Sequence, residues 1–247
     1  QHVYLGVPRS DDDSAIIKRS WVEAAIDAHI ELGMDLSGAL TIGYDVADSG
    51  DDKNAIAQFN GAVCEYIEEW KAAEDELAKS SNRAWSFVGS GRLIYDSIGV
   101  GAGVGAILKS EGKKNYFKFN AGDAAFMPDR EYAPKIKNKQ KFENLKAQSW
   151  RDVADRLRNT FNAVRKGMKY EASELISISS NIKEIESLKT ELCSPRKDYS
   201  KRGLDMVESK KDLAKRGIAS PNKADAFIMG ACPHLVKLNR GRLNIDS

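Results

Sequence analysis

Short apolar runs, broken by turns rich in Gly and Asp, alternate along this chain with stretches of helical period. Leu40 to Val46 reads as a strand. Asp48-Ser-Gly-Asp-Asp-Lys53 is turn chemistry and Ala55 to Phe59 returns as a second strand, so the two predict a hairpin. Trp85 to Val88, Leu93 to Asp96, Tyr116 to Phe119 and Leu204 to Glu208 are further strand candidates, with a Gly-rich turn and a small helix around residues 99–110. Helical spacing runs from Ile16 to Leu32, where Ile16, Ile17, Trp21, Ala24, Ala25, Ala28 and Leu32 share a face and Gly33 is a stop. Val63 to Ser80 reads as an acidic amphipathic helix, and Ile182 to Leu192 as another. Phe142 to Lys166 predicts a long helix whose stripe of Trp150, Val153, Leu157, Phe161 and Val164 packs in a core. Ser220-Pro221 predicts an N-cap with Pro at the first helical position; that helix runs through Met229 and carries Asp225 in its second turn. Asn120 to Gln140 shows no period, and Lys135-Ile-Lys-Asn-Lys-Gln-Lys141 marks a basic loop. Strands of mixed order with helices between them predict an α/β sandwich around a central mixed sheet.

At 247 residues the chain can bury a substantial α/β core. It begins at Gln1 without an initiator Met or a signal-peptide pattern, as expected of a piece cut from a longer protein. Cys64, Cys193 and Cys232 are scattered and odd in number, which fits a reducing compartment rather than a disulfide framework. His2, His29 and His234 form no His-x-x-x-His pair, so zinc hydrolase chemistry lacks its ligands. The longest apolar stretch, Ile98 to Leu108, is too short to span a bilayer, so no membrane partner is expected and the chain reads as a soluble intracellular protein. Net charge is only +2, but it is unevenly spread: residues 1–108 hold 8 Lys+Arg against 18 Asp+Glu (−10), and residues 109–170 hold 16 against 7 (+9). An acidic part beside a basic part suits metal sites next to a phosphate-binding surface; it equally suits ordinary solvated faces.

Two nucleotide-site look-alikes fail on spacing. Gly99-Val-Gly-Ala-Gly-Val-Gly105 meets G-x-G-x-x-G in no register, and Gly103 followed by Lys109-Ser110 has Leu108 where a P-loop needs its second glycine. No nucleotide site is expected in this chain. Three aspartates are more informative. Asp45 closes the run Ala39-Leu-Thr-Ile-Gly-Tyr-Asp45, Asp96 closes Arg92-Leu-Ile-Tyr-Asp96, and Asp225 lies in Ser220-Pro-Asn-Lys-Ala-Asp-Ala226. Carboxylates at neighbouring strand ends converge in space, and hard oxygen ligands from distant segments suit Mg²⁺ or Mn²⁺. Taken alone, Asp45 also suits a turn and Asp96 an exposed strand end, and Asp225 by itself is a weak signal. Asp48, Asp51 and Asp52 read as turn residues, with an outer contact to the site open to one of them, Asp48 being the auxiliary candidate. The small residues after Asp96 would let a bulky backbone such as DNA come close.

The ordered set of motifs resembles the C-terminal nuclease domain of the large terminase subunit of tailed double-stranded DNA bacteriophages, of the headful-packaging type. Tyr4-Leu-Gly-Val-Pro8 and Trp21-Val-Glu-Ala-Ala-Ile-Asp-Ala28 resemble the connector leaving the motor domain. Gly43-Tyr-Asp-Val-Ala-Asp-Ser-Gly-Asp51 resembles the first acidic motif and Ile94-Tyr-Asp-Ser-Ile-Gly-Val-Gly101 the second. Glu208-Ser-Lys-Lys-Asp212, Lys215-Arg-Gly217 and Ser220-Pro-Asn-Lys-Ala-Asp-Ala226 resemble the closing motif, and Phe142 to Arg158 the helix between the second and third. One departure is Asn222, which stands where many members have aspartate.

The resemblance implies an RNase H-like fold (the ribonuclease H and retroviral integrase superfamily), with residues 1–36 as connector, 37–232 as nuclease domain and 233–247 as a basic tail. It implies a metal triad of Asp45, Asp96 and Asp225, with Asp45 shared between two Mg²⁺ or Mn²⁺ ions, and Lys210 near the site as a phosphate contact or a surface lysine. The activity implied is a two-metal endonuclease that cuts concatemeric double-stranded DNA at the start and end of genome packaging with little sequence preference. Lys113, Lys114, Lys135, Lys137, Lys139 and Lys141 are candidate DNA-backbone contacts. Implied partners are an ATPase domain of the same protein, the small terminase subunit and the portal protein. The implied location is the host bacterial cytoplasm and, transiently, the portal vertex of the procapsid, not the mature virion. The tail, with Lys237, Arg240 and Arg242, would dock or stay disordered. A recombinase or integrase of the same fold would share the triad, but its last acid is usually nearer than the 129 positions between Asp96 and Asp225. A non-catalytic DNA-binding or portal-docking module would not need the acids at all.

Overall fold

A computed structural model describes residues 12–35, 38–47, 52–71 and 76–236. Tyr4 to Pro8, Asp48, Asp51, Lys237, Arg240 and Arg242 lie outside the described residues. In chain order the helices are α1 (Arg19–Ala25), α2 (Ala28–Glu31), α3 (Leu77–Ser86), α4 (Val104–Ser110), α5 (Asn138–Lys141), α6 (Leu145–Lys166), α7 (Ile185–Cys193), α8 (Lys210–Lys215) and α9 (Asn222–Ala231). The strands are β1 (Leu40–Asp45), β2 (Lys53–Asn60), β3 (Val63–Lys71), β4 (Arg92–Asp96), β5 (Tyr116–Phe119), β6 (Glu131–Ala133), β7 (Ile136–Lys137), β8 (Ser177–Ile178), β9 (Lys197–Tyr199) and β10 (Asp205–Val207).

Six strands form a central mixed sheet in the order β5-β4-β1-β2-β3-β8, and two small hairpins, β6-β7 and β9-β10, stand apart from it. The strand β1 is central, antiparallel to β2 and parallel to β4, and it is buried on both faces. Its residues alternate between the two layers, as a strand must. Ile42 and Tyr44 join Leu93, Tyr95, Ala84, Val88, Val104 and Leu108 under α3 and α4. On the opposite face α9, α6, α1 and α7 build the larger core around Phe59, Trp150, Leu157, Leu188 and Phe227. The helix α1 contributes Val22 and Ala25 to that core.

Packing between α9 and β1 is close. Gly43 lies under the helix so tightly that a Cβ there would stand 2.0 Å from the Ala226 carbonyl and 2.4 Å from the Gly230 amide. Only glycine permits this approach. The long helix α6 is delimited as its sequence demands: the Asn144 side chain accepts from the Ala147 N–H at 2.9 Å, and Gly167 ends it at φ 66°.

Five expectations are corrected. The segment beginning at Val63 is strand β3 rather than a helix, and the helix after it, α3, includes Trp85, which the pattern places in a strand. The stretch from Ile16 to Leu32 is two helices, because Ile26 bridges to Ile178 and Asp27 adopts φ 52°. Ser220 does not cap α9; Pro221 takes that position and supplies no side-chain acceptor, so Asp225 falls in the first turn. Two of the glycines after Asp96 serve internal packing, since a Cβ at Gly101 would meet the Asp96 carbonyl at 2.0 Å and one at Gly105 the Tyr95 hydroxyl at 2.4 Å, whereas a Cβ at Gly99 would meet nothing within 4 Å.

Candidate active site

Asp45 and Asp96 are the last residues of the parallel neighbours β1 and β4, so both carboxylates leave the sheet at one edge. Asp96 shares its strand face with Ile94, and Asp45 shares its own with Gly43, the face covered by α9. Asp225 enters from above, on the first turn of that helix. The three carboxylates line one cavity of about 300 Å³, together with Lys146, Lys210, Ile98, Phe119, Ala121, Trp150, Ile228 and Met229. Asn222, at the start of α9, is buried and does not line it.

The electrostatics are those of crowded acids. Asp45 is 3% exposed. Burial, then the Asp225 and Asp96 charges, hold its carboxyl well above the usual range against the pull of Lys210 and Lys146. Asp96 is raised by burial and by Asp225, although the Ile98 N–H donates to its Oδ1 at 3.0 Å. Asp225 is flanked by cations on both oxygens: Lys146 Nζ lies 3.5 Å from Oδ1 and Lys210 Nζ 3.8 Å from Oδ2. Burial works against the Lys210 charge, yet Asp45, Asp225, Asp52 and Asp96 together hold its ammonium above the ordinary lysine value.

The donor set, three carboxylates with no sulfur or imidazole, fits a hard divalent cation. Among the described residues, however, no group of three His, Cys, Asp or Glu side chains is disposed to hold a metal ion as it stands. The acids share a cavity without closing into a cluster, and Lys146 and Lys210 supply part of the positive charge that a cation would bring.

The other candidates are more dispersed. Lys137 and Lys139 pair with Asp129 at 3.4 and 2.8 Å, and Lys141 pairs with Asp205 at 3.0 Å. This basic segment comes after β5, which ends beside Asp96 in the parallel pair with β4, and Lys135 in it is exposed. Lys113 and Lys114 precede β5, at the opposite end of the parallel strands from Asp96, and Lys113 lies 5.9 Å over the Trp85 ring. Lys146 was not among the expected site residues. A signal for it existed: a lysine in the first turn of a 22-residue helix stands against the positive end of the helix dipole. Among the described residues no helix is long and apolar enough to cross a membrane.

A mixed sheet of this order, flanked by helices and ending in paired aspartates, defines an RNase H-like α/β domain. No family model matches the chain, and no curated protein does. Solved structures do. The nuclease domain of the large terminase subunit gp2 of bacterial virus Sf6 is 32% identical, with 89% of this chain and 99% of that chain covered and a TM-score of 0.83. A lysine-to-alanine mutant of that domain, determined with manganese and β-thujaplicinol, is 31% identical over the same shares, also at TM-score 0.83. The mutant with calcium is 31% identical over 89% of this chain and 100% of that chain, at TM-score 0.81. At that identity and coverage the chain belongs to the family of nuclease domains of bacteriophage large terminase subunits.

Proposed function

We propose that this domain is the metal-dependent endonuclease of a viral DNA-packaging motor, cutting concatemeric double-stranded DNA at initiation and termination with little sequence preference. The observation that carries the reading is the single cavity lined by Asp45, Asp96 and Asp225 and flanked by two lysines. Family membership supports the nuclease class, and the manganese and calcium reported for the Sf6 domain support a divalent cofactor.

Asp45, Asp96 and Asp225 would hold Mg²⁺ or Mn²⁺, two ions when DNA is bound. Such ions, when bound, supply Lewis acidity that favours a nucleophilic hydroxide and the departure of the 3′ oxygen. The protein's own part is positioning and charge. Burial, together with the repulsion among the acids, raises the Asp45 and Asp96 carboxyls, and positive charge brought to this end of the sheet would relieve that repulsion. Lys146 and Lys210, which pair with Asp225, would donate to the oxygens of the scissile phosphate. Trp150, Phe119, Ile228 and Met229 give the cavity an apolar floor, which excludes water and strengthens each charge interaction above it. Lys135, Lys137, Lys139 and Lys141 would extend the phosphate track beyond the cavity, exchanging their aspartate partners for DNA. Backbone contacts of this kind position DNA without reading bases. In the whole protein the domain would work with an ATPase domain, the small terminase subunit and the portal protein, in the host cytoplasm and at the portal vertex.

Plasmid digestion tests this. The chain is expected to convert supercoiled plasmid to nicked, linear and then fragmented DNA with Mg²⁺ or Mn²⁺, and to stop in EDTA. Asp45→Asn and Asp225→Asn are each expected to be inactive; cutting that persists in both would refute the site.

A further inference from the structure

Asp225 reaches the cavity from a helix whose start has no capping side chain of its own. The N-cap position of α9 is Pro221, which offers no acceptor to the first turn. The N–H groups left open by that are those of the second and third helical residues, Lys223 and Ala224. Both donate to one oxygen of Glu191, a residue of α7 that lies 32 positions earlier: Lys223 N–H to Oε2 at 2.8 Å and Ala224 N–H to Oε2 at 3.2 Å. The other oxygen, Oε1, takes the Lys223 ammonium at 3.3 Å. That ammonium is almost entirely enclosed, with its side chain 4% exposed, and also pairs with Glu69 at 3.2 Å and Glu184 at 2.9 Å. Glu69 in turn binds Lys53, the first residue of β2.

We infer that Glu191 is a positioning residue of the nuclease site: its carboxylate caps α9 from a neighbouring helix and thereby sets where Asp225 stands relative to Asp45 and Asp96. A cap supplied by the helix's own residue would travel with the helix. This one ties the first turn of α9 to α7, while Lys223 ties the same turn to β3 through Glu69. The carboxylate of Asp225 is one residue beyond the capped amides, so slack in the cap is delivered directly to the site. The inference rests on the assignment of Asp225 to the site made above.

The test separates the hydrogen-bond role from the charge. Glu191→Gln keeps an acceptor oxygen at the same reach and removes the charge; Glu191→Asp keeps the charge and withdraws the acceptor by one C–C bond. Both are compared with the parent and Asp225→Asn for plasmid cleavage (kcat and KM separately), for Mn²⁺ affinity without DNA and for folding by circular dichroism. If the cap sets Asp225, the Asp variant stays folded, loses on the order of tenfold to a hundredfold in kcat with KM little changed, and binds Mn²⁺ more weakly. The Gln variant stays close to the parent in all three. The reverse order, with Gln impaired and Asp intact, makes Glu191 only a counter-charge to Lys223 and overturns the inference, as does parental behaviour of both variants. Should Asp225→Asn cut as well as the parent, the site assignment is what fails, and Glu191 then has nothing to position.

Discussion

Replacing Gly43 by alanine perturbs the site without touching any charged group in it. The added Cβ would lie 2.0 Å from the Ala226 carbonyl oxygen and 2.4 Å from the Gly230 amide nitrogen, both backbone atoms of α9. Side-chain rotation cannot relieve a clash with backbone, so either β1 or α9 must yield, by about 1.4 Å to reach an ordinary contact. Overpacking of this kind costs about 1–3 kcal/mol. For a domain of this size that lowers Tm by roughly 2–6 °C. The functional effect should exceed the stability effect. Asp45 is two residues along β1 from Gly43, and Asp225 is next to Ala226 on α9, so the displacement opens the gap between two of the three carboxylates. A misplacement of about 1 Å can cost on the order of a hundredfold in rate. The assay is calorimetric melting of Gly43→Ala beside single-turnover plasmid cleavage in Mn²⁺ at a temperature where the variant is folded. Gly122→Ala is the control, because its Cβ would meet nothing nearer than Asn120 Oδ1 at 3.5 Å. A Gly43→Ala protein that melts and cuts like the parent would refute the idea that this contact holds the acids in register.

Asp45→Asn should separate stability from activity in the other direction. Neutralising a 3% exposed acid that two carboxylates repel should stabilise the metal-free protein by about 1–2 kcal/mol in EDTA, measured by urea denaturation, while cleavage is lost; a destabilised variant would contradict the crowding argument. The thiols offer an independent check on burial. Cys64 and Cys232 are buried, and burial pushes both thiols up, whereas Cys193 is half-buried. A thiol reagent such as dithionitrobenzoate should therefore react quickly with one of the three cysteines in the native protein and with all three in guanidinium; rapid reaction of Cys64 would contradict the packing of β3.

The pairing of β1 with β2, the strands β4 and β5, and the Trp150, Val153 and Leu157 part of the α6 stripe were legible in the sequence because local period agrees there with tertiary burial, whereas Phe161 and Val164 are only half-buried. The strand β3 was not, and the cause is a single residue. Glu65 is bulged out of the pairing between Gln58–Tyr66 and Phe59–Cys64, so Cys64 and Ile67 land on the same face three positions apart. With Glu65, Glu68 and Glu69 between and beyond them, the segment carries a helical spacing while forming a strand. Trp85 misled in the opposite sense, as an aromatic at the end of a helix that packs on the sheet. The three aspartates could be placed from strand ends and from the order of the motifs, because those are properties of the chain. Lys146, Glu191 and Lys223 could not be placed that way: their roles come from partners on other helices and strands, and a lone lysine or glutamate looks the same whether it faces water or α9.

The order in which the acids occur along the chain has a consequence for a protein that is made from one end. Asp45 and Asp96 lie on strands that can pair early, but Asp225 arrives 129 residues after Asp96, on the last α-helix of the described chain. At ordinary rates of synthesis that interval is about 6–26 s. A nascent chain stalled before residue 222, or one cut by a protease ahead of it, can hold the sheet and two carboxylates but not the third, and lacks the helix that covers Gly43. The cavity proposed as the cutting centre is therefore completed only once α9 exists, so a chain that stops short of α9 is expected to cut no DNA.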